Sequence, residues 1–299
     1  MLRPQPGVNQ CATSAAIRAG AKGSGACNLY SYVTLVSNPD YLIGAKALAR
    51  SLNMVKANYP LTVLAVRDMP GLEELEALGC QIVPAPPLAL SEPFRQRHTR
   101  KEQHARDPFT KGNKPAFHNP RDNFVKLRLW QLEQFERVVF LDADLILLQN
   151  IDRLFEFPEF VAAPNLYESL SDFNRMNAGV FVARPDKRTY ERMLLQLDTP
   201  DRFWRRTDQT FLEHYFPDWH GLPYIYNTLQ YVWFNLPVLW VWDRIRVIHY
   251  QYEKPWETDN PKAELLKPVI DAWWHVHDHG TLPDHLPKPG QPAREPVHG

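Results

Sequence analysis

Alternating strands and helices in the first part of the chain constrain its fold more than any other feature of the sequence. A β-branched and aromatic run over residues 30–36 predicts a buried strand. Apolar residues then recur at helical spacing from residue 45 to residue 55. Three segments continue the alternation, with a strand over residues 61–66, a helix over 73–78 and a strand over 81–83. This order predicts a parallel sheet with helices on its faces.

The balance of charge excludes one large class of protein. The chain has 34 lysines and arginines against 34 aspartates and glutamates, whereas a protein that binds the nucleic-acid backbone needs a strongly basic surface. No segment approaches the roughly 20 apolar residues of a membrane helix, and the first 28 residues hold no apolar stretch typical of a signal peptide. Three widely spaced cysteines form neither a disulfide framework nor a zinc site. We expect a cytoplasmic protein without a membrane span or a nucleic-acid partner.

The distribution of proline, glycine and charge predicts a single domain over residues 29–284. Residues 1–28 are small and polar, and residues 285–299 are rich in proline and charge, so both ends are predicted to be disordered. Residues 88–121 interrupt the alternation with many basic residues, prolines and histidines. A loop of this length inside a domain is either a mobile, solvated insertion or a lid over an acceptor site.

Two carboxylates separated by one residue follow another predicted buried strand. The apolar run over residues 138–141 leads directly into Asp142, Ala143 and Asp144. Ligand sites in open α/β sheets lie beyond the carboxyl ends of the strands. Two neighbouring carboxylates repel each other there unless a cation binds between them. A hard divalent ion such as Mn²⁺ or Mg²⁺ takes such ligands and can bind a diphosphate at the same time.

This short motif alone leaves other interpretations open. An Asp-x-Asp sequence occurs often by chance, and a solvated turn at the end of a strand is one alternative. Phosphohydrolases of the haloacid dehalogenase type also carry the motif after a strand, but they continue with a small residue and a threonine. Here Leu145 and Ile146 continue as an apolar strand, which disfavours that class.

The segments around this motif resemble those of glycosyltransferase family 8, which includes glycogenin, galactinol synthases and bacterial lipopolysaccharide sugar transferases. Phe-Leu-Asp-Ala-Asp over residues 140–144 and Asn-Ile-Asp-Arg-Leu-Phe over 150–155 are similar to the family signature. Five further segments occur in family order: Tyr-Val-Thr-Leu at 32–35, Val-Lys-Leu at 125–127, Asn-Ala-Gly-Val at 177–180, Asp-Gln at 208–209, and His-Tyr at 249–250 with Lys-Pro-Trp at 254–256. The resemblance implies an α/β fold of the GT-A type, with a mostly parallel central sheet and helices on both faces.

The resemblance also implies roles for individual residues. His249 would join Asp142 and Asp144 as the third metal ligand. Asp208 and Gln209 would lie beside the transferred sugar as catalytic residues, where they can stabilise an oxocarbenium-like centre. The donor contacts that the resemblance implies come from Leu35, Ser37, Asn38, Tyr41, Lys126, Ala143, Asn177 and Lys254.

Taken without the resemblance, several of these residues have simpler interpretations. His249 follows an apolar pair and is typical of a packed core histidine. Lys126 is compatible with a surface charge on an amphipathic helix that begins at Asn123 with Asp122 as its cap. Asn177 is compatible with a turn residue before a glycine.

The sequence departs from glycogenin at three places. Glycogenin glycosylates its own tyrosine, but the equivalent position here is Phe234, and Tyr231 lies in a different register, so we do not expect self-glycosylation. Asn165 stands where glycogenin has an aspartate. The interval from His249 to Lys254 is one residue shorter than in glycogenin, which weakens the assignment of Lys254.

The expected activity is transfer of a hexose, glucose or galactose, from a UDP-sugar to the hydroxyl of a sugar, polyol or glycan, with retention and with Mn²⁺ or Mg²⁺. A nucleotide-sugar-binding scaffold of the same fold is the first alternative, and a metal-dependent phosphohydrolase is the second. The sequence identifies neither the sugar nor the acceptor, because a few pocket contacts decide between them. It leaves a homodimer open.

Overall fold

The computed structural model describes residues 29–99, 114–198 and 207–290. Within these ranges the strands are β1 (Tyr30–Val36), β2 (Leu61–Ala65), β3 (Gln81–Pro84), β4 (Arg137–Leu141), β5 (Leu145–Leu147), β6 (Val161–Pro164), β7 (Met176–Ala183), β8 (His220–Gly221), β9 (Thr228–Leu229) and β10 (Val247–His249). The α-helices are α1 (Leu42–Met54), α2 (Leu72–Ala77), α3 (Glu92–Arg97), α4 (Lys187–Leu197), α5 (Asp208–Tyr215), α6 (Val232–Asn235) and α7 (Ala263–His279). A long 3₁₀ helix covers Asp122–Gln131, and short ones cover Pro39–Tyr41, Asp152–Glu156, Leu170–Asn174, Tyr224–Tyr226 and Pro237–Leu239.

Seven strands form a mostly parallel central sheet in the order β3-β2-β1-β4-β7-β6-β8. Strands β3, β2, β1 and β4 run parallel to one another, and β6 runs parallel to β8. Strand β7 is antiparallel to both of its neighbours. The alternation of strands and helices predicted for residues 30–83 is confirmed.

Helices cover both faces of this sheet, as predicted. Successive side chains of a strand point to opposite faces. Tyr32 accordingly packs in one apolar cluster with Leu48 of α1. Its neighbour Val33 packs in another cluster, with Phe124 of the long 3₁₀ helix and Met193 of α4.

The segment that was expected to form an amphipathic α-helix from Asn123 is instead the 3₁₀ helix Asp122–Gln131, and Arg121 rather than Asp122 is its N-cap. Seven of its ten residues are buried. An amphipathic surface helix needs one apolar stripe and one polar face. A segment enclosed on nearly all sides has no such division, so the prediction of a surface helix was wrong.

A smaller sheet in the order β5-β10-β9 brings distant parts of the chain together. Strand β5 starts directly after the Asp-Ala-Asp turn and pairs antiparallel with β10, so that His249 lies opposite Leu145. Strand β9 pairs parallel with β10. The backbone N–H of Tyr250 donates to the carbonyl oxygen of Asp144 at 3.0 Å. This pairing places the end of β10 beside the aspartates.

Parts of the predicted domain organisation lie outside the described residues, namely the extension over 1–28, residues 100–113 of the insertion and residues 291–299 of the tail. The single domain over residues 29–284 stays a prediction. The described ranges contain no helix with the length and apolar character needed to cross a bilayer.

Candidate active site

The site is built where the central sheet changes strand direction. Asp142 follows β4, which runs parallel to β1 on one side and antiparallel to β7 on the other. The Asp142 N–H donates to the carbonyl oxygen of Gly179 in β7 at 2.9 Å, which fixes the start of the turn. Such positions at the carboxyl ends of strands form the natural crevice of an open α/β sheet.

Asp142, Asp144 and His249 form the predicted metal-ligand set. Nε2 of His249 lies 3.3 Å from Oδ1 of Asp144 and 3.9 Å from Oδ2 of Asp142. One ligand atom from each residue lies within 4.8 Å of the other two, and in the described part of the chain this is the group of three that could hold an ion. Two carboxylates with one imidazole suit a divalent ion such as Mn²⁺. The donor set therefore fits a divalent cation.

Two buried lysines accompany the aspartates. Nζ of Lys126 lies 2.6 Å from Oδ2 of Asp208 and 3.1 Å from Oδ1 of Asp142. Nζ of Lys254 contacts Oδ2 of Asp144 and donates to the carbonyl oxygen of Tyr250 at 3.0 Å. Buried charges persist only when they are paired and hydrogen-bonded. Lys126 is 3% exposed, so its interpretation as a surface charge was wrong.

The charges in this cluster shift one another's pKa values. Burial opposes ionisation of Asp144, but the nearby Lys254 and His249 outweigh it and hold the pKa of Asp144 well below its usual value. Burial raises the pKa of Asp142, and the Lys126 ammonium offsets only part of that effect. Burial would lower the pKa of Lys126, but Asp142 and Asp208 raise it above its ordinary value. The negative charge on Asp142 is thus less compensated than the charge on Asp144, as expected for a residue that binds a cation.

A cavity of about 420 Å³ opens over these residues, which is a typical volume for a small-molecule site. Twelve of the thirteen residues predicted from the sequence line it: Leu35, Ser37, Tyr41, Lys126, Asp142, Ala143, Asp144, Asn177, Asp208, Gln209, His249 and Lys254. The exception is Asn38. Its side chain accepts from the Asp40 N–H and donates to the carbonyl oxygen of Phe117, so it shapes the loop beside the cavity.

A chain of buried and half-buried amides lies next to His249, one of the predicted metal ligands. Oδ1 of Asn177 accepts from the Gly179 N–H and from Nδ2 of Asn227, both at 2.8 Å. Nδ2 of Asn177 donates to Oδ1 of Asn165 at 2.8 Å and to Oε1 of Gln251 at 2.9 Å. Asn177 lies within strand β7, so its interpretation as a turn residue was wrong.

With this geometry in place, comparison with known proteins decides the family. The sequence profile of glycosyl transferase family 8 matches residues 32–260. The chain belongs to glycosyl transferase family 8. The family predicted from the sequence motifs is confirmed, and the phosphohydrolase alternative is set aside.

Relatives in this family carry different names. Galactinol synthase 4 of Arabidopsis thaliana is 28% identical over 295 residues, which cover 84% of this chain and 82% of the relative. Galactinol synthase 1 of Solanum lycopersicum is 29% identical, over 85% of this chain and 83% of the relative. UDP-glucuronate:xylan alpha-glucuronosyltransferase 1 of Arabidopsis thaliana is 28% identical, over 86% of this chain but only 38% of the relative. Membership in the family therefore shows that the protein is a glycosyltransferase, but it does not identify the sugar that is transferred.

Solved structures of glycosyltransferases share the fold. The galactosyltransferase LgtC, in complex with donor and acceptor sugar analogues, superposes with a TM-score of 0.55 at 14% identity, over 81% of this chain and 95% of that one. GlyE of Streptococcus pneumoniae gives 0.57 at 16% identity, over 84% of this chain and 60% of that one. The apo structure of WbbM, a bifunctional glycosyltransferase, gives 0.54 at 16% identity, over 83% of this chain and 53% of that one. The GT-A prediction for this family 8 protein is confirmed.

Sequence reasoning missed other residues of the family 8 cavity. Tyr167, Arg175, Gln251 and Tyr252 all line it. Gln251 lies two residues after His249, and that proximity was the signal that could have identified it. Tyr167 and Arg175 come from the loop between β6 and β7, which no motif marked.

Proposed function

We propose that this protein transfers a hexose, glucose or galactose, from a UDP-sugar to a hydroxyl acceptor with retention, using Mn²⁺ or Mg²⁺ held by Asp142, Asp144 and His249. One observation carries the proposal. The three ligands converge within 4.8 Å of one another on the wall of a cavity that two buried lysines also reach. Carboxylates for a cation beside ammonium groups for phosphate form the arrangement that a nucleotide-diphosphate leaving group requires.

The diphosphate would lie between the ligand set and Lys254. A bound divalent cation supplies a Lewis acid that stabilises the departing nucleoside diphosphate. Lys254 contacts Asp144 and lines the same cavity, so its ammonium can donate to diphosphate oxygens next to the cation. Because this charge is buried and already oriented, it can stabilise the leaving group without reorganisation.

The sugar would lie towards Asp208 and Gln209 at the start of α5. Lys126 holds the Asp208 carboxylate in place at 2.6 Å. The Gln209 side chain is held by the N–H of Ala178, which donates to its Oε1 at 3.2 Å. A fixed carboxylate beside the anomeric carbon would stabilise the positive charge that develops there as the glycosidic bond to the diphosphate breaks.

The uridine would lie at the end of β1. Leu35 and Ser37 come from this strand end, and Tyr41 follows on the next turn of chain. The Tyr41 hydroxyl lies 3.0 Å from Nδ1 of His118, a second residue that lines the cavity, and this contact holds the tyrosine ring in place. A rigid aromatic wall of this kind suits a nucleobase.

The acceptor is expected to be a separate molecule such as a sugar, a polyol or a glycan. Tyr231 is 2% exposed, and its hydroxyl donates to the Glu253 carboxylate, which leaves it unsuited to accept a sugar. The galactinol synthase relatives match along more than four-fifths of both chains. We therefore choose small soluble acceptors, rather than a polymer, for the first assays.

Release of UDP from a panel of nucleotide sugars tests the proposal. The panel comprises UDP-glucose, UDP-galactose, UDP-glucuronate and GDP-mannose, each with and without MnCl₂ and with inositol or hexose acceptors. We expect metal-dependent UDP release from one UDP-hexose, with an acceptor product of unchanged anomeric configuration by NMR. Folded protein that binds a UDP-hexose but releases no UDP from any donor would support the scaffold alternative instead.

A further inference from the structure

The metal ligand His249 is held from behind by a buried amide to which the family motifs assign no role. Nδ1 of His249 lies 3.0 Å from Oδ1 of Asn227, while Nε2 faces the aspartates. Both side chains are almost fully buried, at 2% and 0% exposure. A histidine that binds a metal uses the lone pair of one ring nitrogen and donates a hydrogen bond from the other. The partner of Nδ1 therefore decides whether Nε2 can act as a ligand.

A backbone group fixes the direction of the hydrogen bonds that lead to His249. The Gly179 N–H can only donate, and the atom that accepts from it at 2.8 Å is therefore the oxygen of Asn177. The Asn227 atom that lies 2.8 Å from the same oxygen must then be the amide nitrogen. This orientation leaves the Asn227 oxygen facing Nδ1 of His249, so the assignment of the amide follows from the network.

The hydrogen bonds on the other side of Asn177 agree with this orientation of its amide. Nδ2 of Asn177 donates to the side-chain oxygens of Asn165 and Gln251. A reversed Asn177 would turn its oxygen towards these two oxygens and its NH₂ towards the Gly179 N–H. Both contacts would then be unsatisfied inside the protein, and an unsatisfied buried polar group costs more than a typical hydrogen bond gains.

We propose that Asn227 is a positioning residue that holds His249 in the tautomer protonated on Nδ1, which leaves the Nε2 lone pair available for the cation. The backbone N–H of Gly179 sets this tautomer through Asn177 and Asn227. The inference rests on the proposed role of His249 as a metal ligand. Asn227 directly precedes β9, the strand at one edge of the small sheet, and would support the metal site from there.

The alternative that a test must exclude is the tautomer of His249 that is protonated on Nε2. Nε2 of His249 lies 3.3 Å from Oδ1 of Asp144, so the opposite tautomer would gain a carboxylate acceptor. That tautomer would place the Nδ1 lone pair against the Asn227 oxygen at 3.0 Å, with no hydrogen between them. Two buried acceptors facing each other are unfavourable. A cation shared by Nε2 and Asp144 would remove the conflict on that side, so the Asn227 oxygen favours protonation on Nδ1 once the cation is bound.

Mn²⁺ affinity of metal-free protein, measured by calorimetry with MnCl₂ alone, tests the positioning role. Asn227→Leu keeps the side-chain volume but removes the acceptor, and we expect its Kd to rise about 10–100-fold. Asn227→Asp keeps an oxygen towards Nδ1, and in its protonated form, which burial favours, its hydroxyl also donates to Oδ1 of Asn177, so its Kd should stay within a few-fold of the wild type. Thr228→Val is the matched control, because it removes a neighbouring hydrogen bond to Tyr224 without reaching His249.

The outcomes separate the two proposals. If the wild type itself does not bind Mn²⁺, the metal function fails. If the wild type binds and folded Asn227→Leu binds equally well, the positioning role alone is overturned. Equal losses in Asn227→Asp and Asn227→Leu, or a comparable loss in Thr228→Val, would overturn it as well, because the acceptor oxygen would then not be the cause.

A second test determines the tautomer in the wild type itself and uses a variant only to assign the signal. Nitrogen-15 NMR of the protein with saturating MgCl₂, a diamagnetic divalent ion, distinguishes the two tautomers from their ring nitrogen shifts. The His249 signal is assigned by its absence in His249→Gln. We expect protonation on Nδ1, and a ring protonated on Nε2 would overturn the proposal.

Discussion

Replacing Gly179 with alanine should displace His249, the proposed metal ligand, while the backbone of the strand keeps its conformation. Gly179 lies within β7, in extended backbone that alanine also adopts. A methyl group at this position would lie 2.4 Å from Cε1 and 2.6 Å from Nδ1 of His249, and 2.9 Å from Oδ1 of Asn177. The substitution therefore acts on His249 through space.

The size of the displacement sets the size of the effect. Ordinary van der Waals contact begins at 3.4 Å, so the methyl carbon and Cε1 of His249 must separate by about 1 Å. Misplacement of a reacting or binding group by about 1 Å costs on the order of 10²-fold in rate. We expect the Kd for Mn²⁺ to rise about 10–100-fold and metal-dependent transfer to fall about 100-fold.

Calorimetry with MnCl₂ and UDP-release kinetics on the same preparation measure both effects. Gly221→Ala is the matched control, because a methyl group there meets nothing closer than 3.8 Å, and its Kd should equal that of the wild type. Wild-type affinity and turnover in folded Gly179→Ala would refute the reasoning, since the ring would then have room that the structure does not give it.

Three further variants concern the proposed diphosphate contact, a buried tyrosine and the turn that carries the aspartates. Lys254→Met removes the ammonium beside the diphosphate and should lower kcat about 10²–10³-fold in steady-state assays, so an unchanged kcat would contradict its role. Tyr231→Phe leaves the buried Glu253 without one donor and should lower the free energy of unfolding in urea by about 1–3 kcal/mol. The same variant should retain transfer, and its complete loss would speak against a separate acceptor. Gly44→Ala places a methyl group 2.4 Å from the carbonyl oxygen of Ala143, and it should raise the Kd for Mn²⁺ about tenfold or more in calorimetry, whereas an unchanged Kd would show that the turn tolerates it.

The core of the fold could be predicted from the sequence because the relevant signals are local. The apolar run of β1 and the helical spacing of α1 each reflect the burial of one short segment. Asp142 and Asp144 are also a local signal, because they are close in sequence and follow a strand directly. Such residues can be identified from the few residues that surround them in the sequence.

Features that depend on pairing between distant segments could not be predicted in the same way. His249 approaches Asp144 only through the register of β10 against β5, and only the family resemblance identified it. Asn227 precedes a two-residue strand, β9, and nothing near it in the sequence indicates that this strand pairs beside His249. Its role follows from tertiary structure alone.

The backbone of the loop that carries Lys254 could not be predicted from the sequence either. Tyr252 has φ of 69°, in the left-handed region that bulky residues rarely adopt. This turn lets Lys254 fold back to the carbonyl oxygen of Tyr250 across the shortened interval after His249. Ring contacts of Tyr252 with Tyr231 at 5.9 Å and with Tyr167 at 5.8 Å help to offset the cost. Local propensity predicts no such turn at a tyrosine.

Thermal unfolding with UDP-glucose or UDP-galactose and MnCl₂, for wild type and Asp144→Ala, tests the central claim most directly. A ligand at a hundredfold excess over its Kd stabilises the folded state by about 2.7 kcal/mol, which corresponds to a shift of several degrees in Tm. We predict that the wild type shifts with a UDP-hexose only when Mn²⁺ is present, and that Asp144→Ala does not shift. A folded wild type that shows no shift with any nucleotide sugar, or an Asp144→Ala variant that shifts equally, would contradict the account.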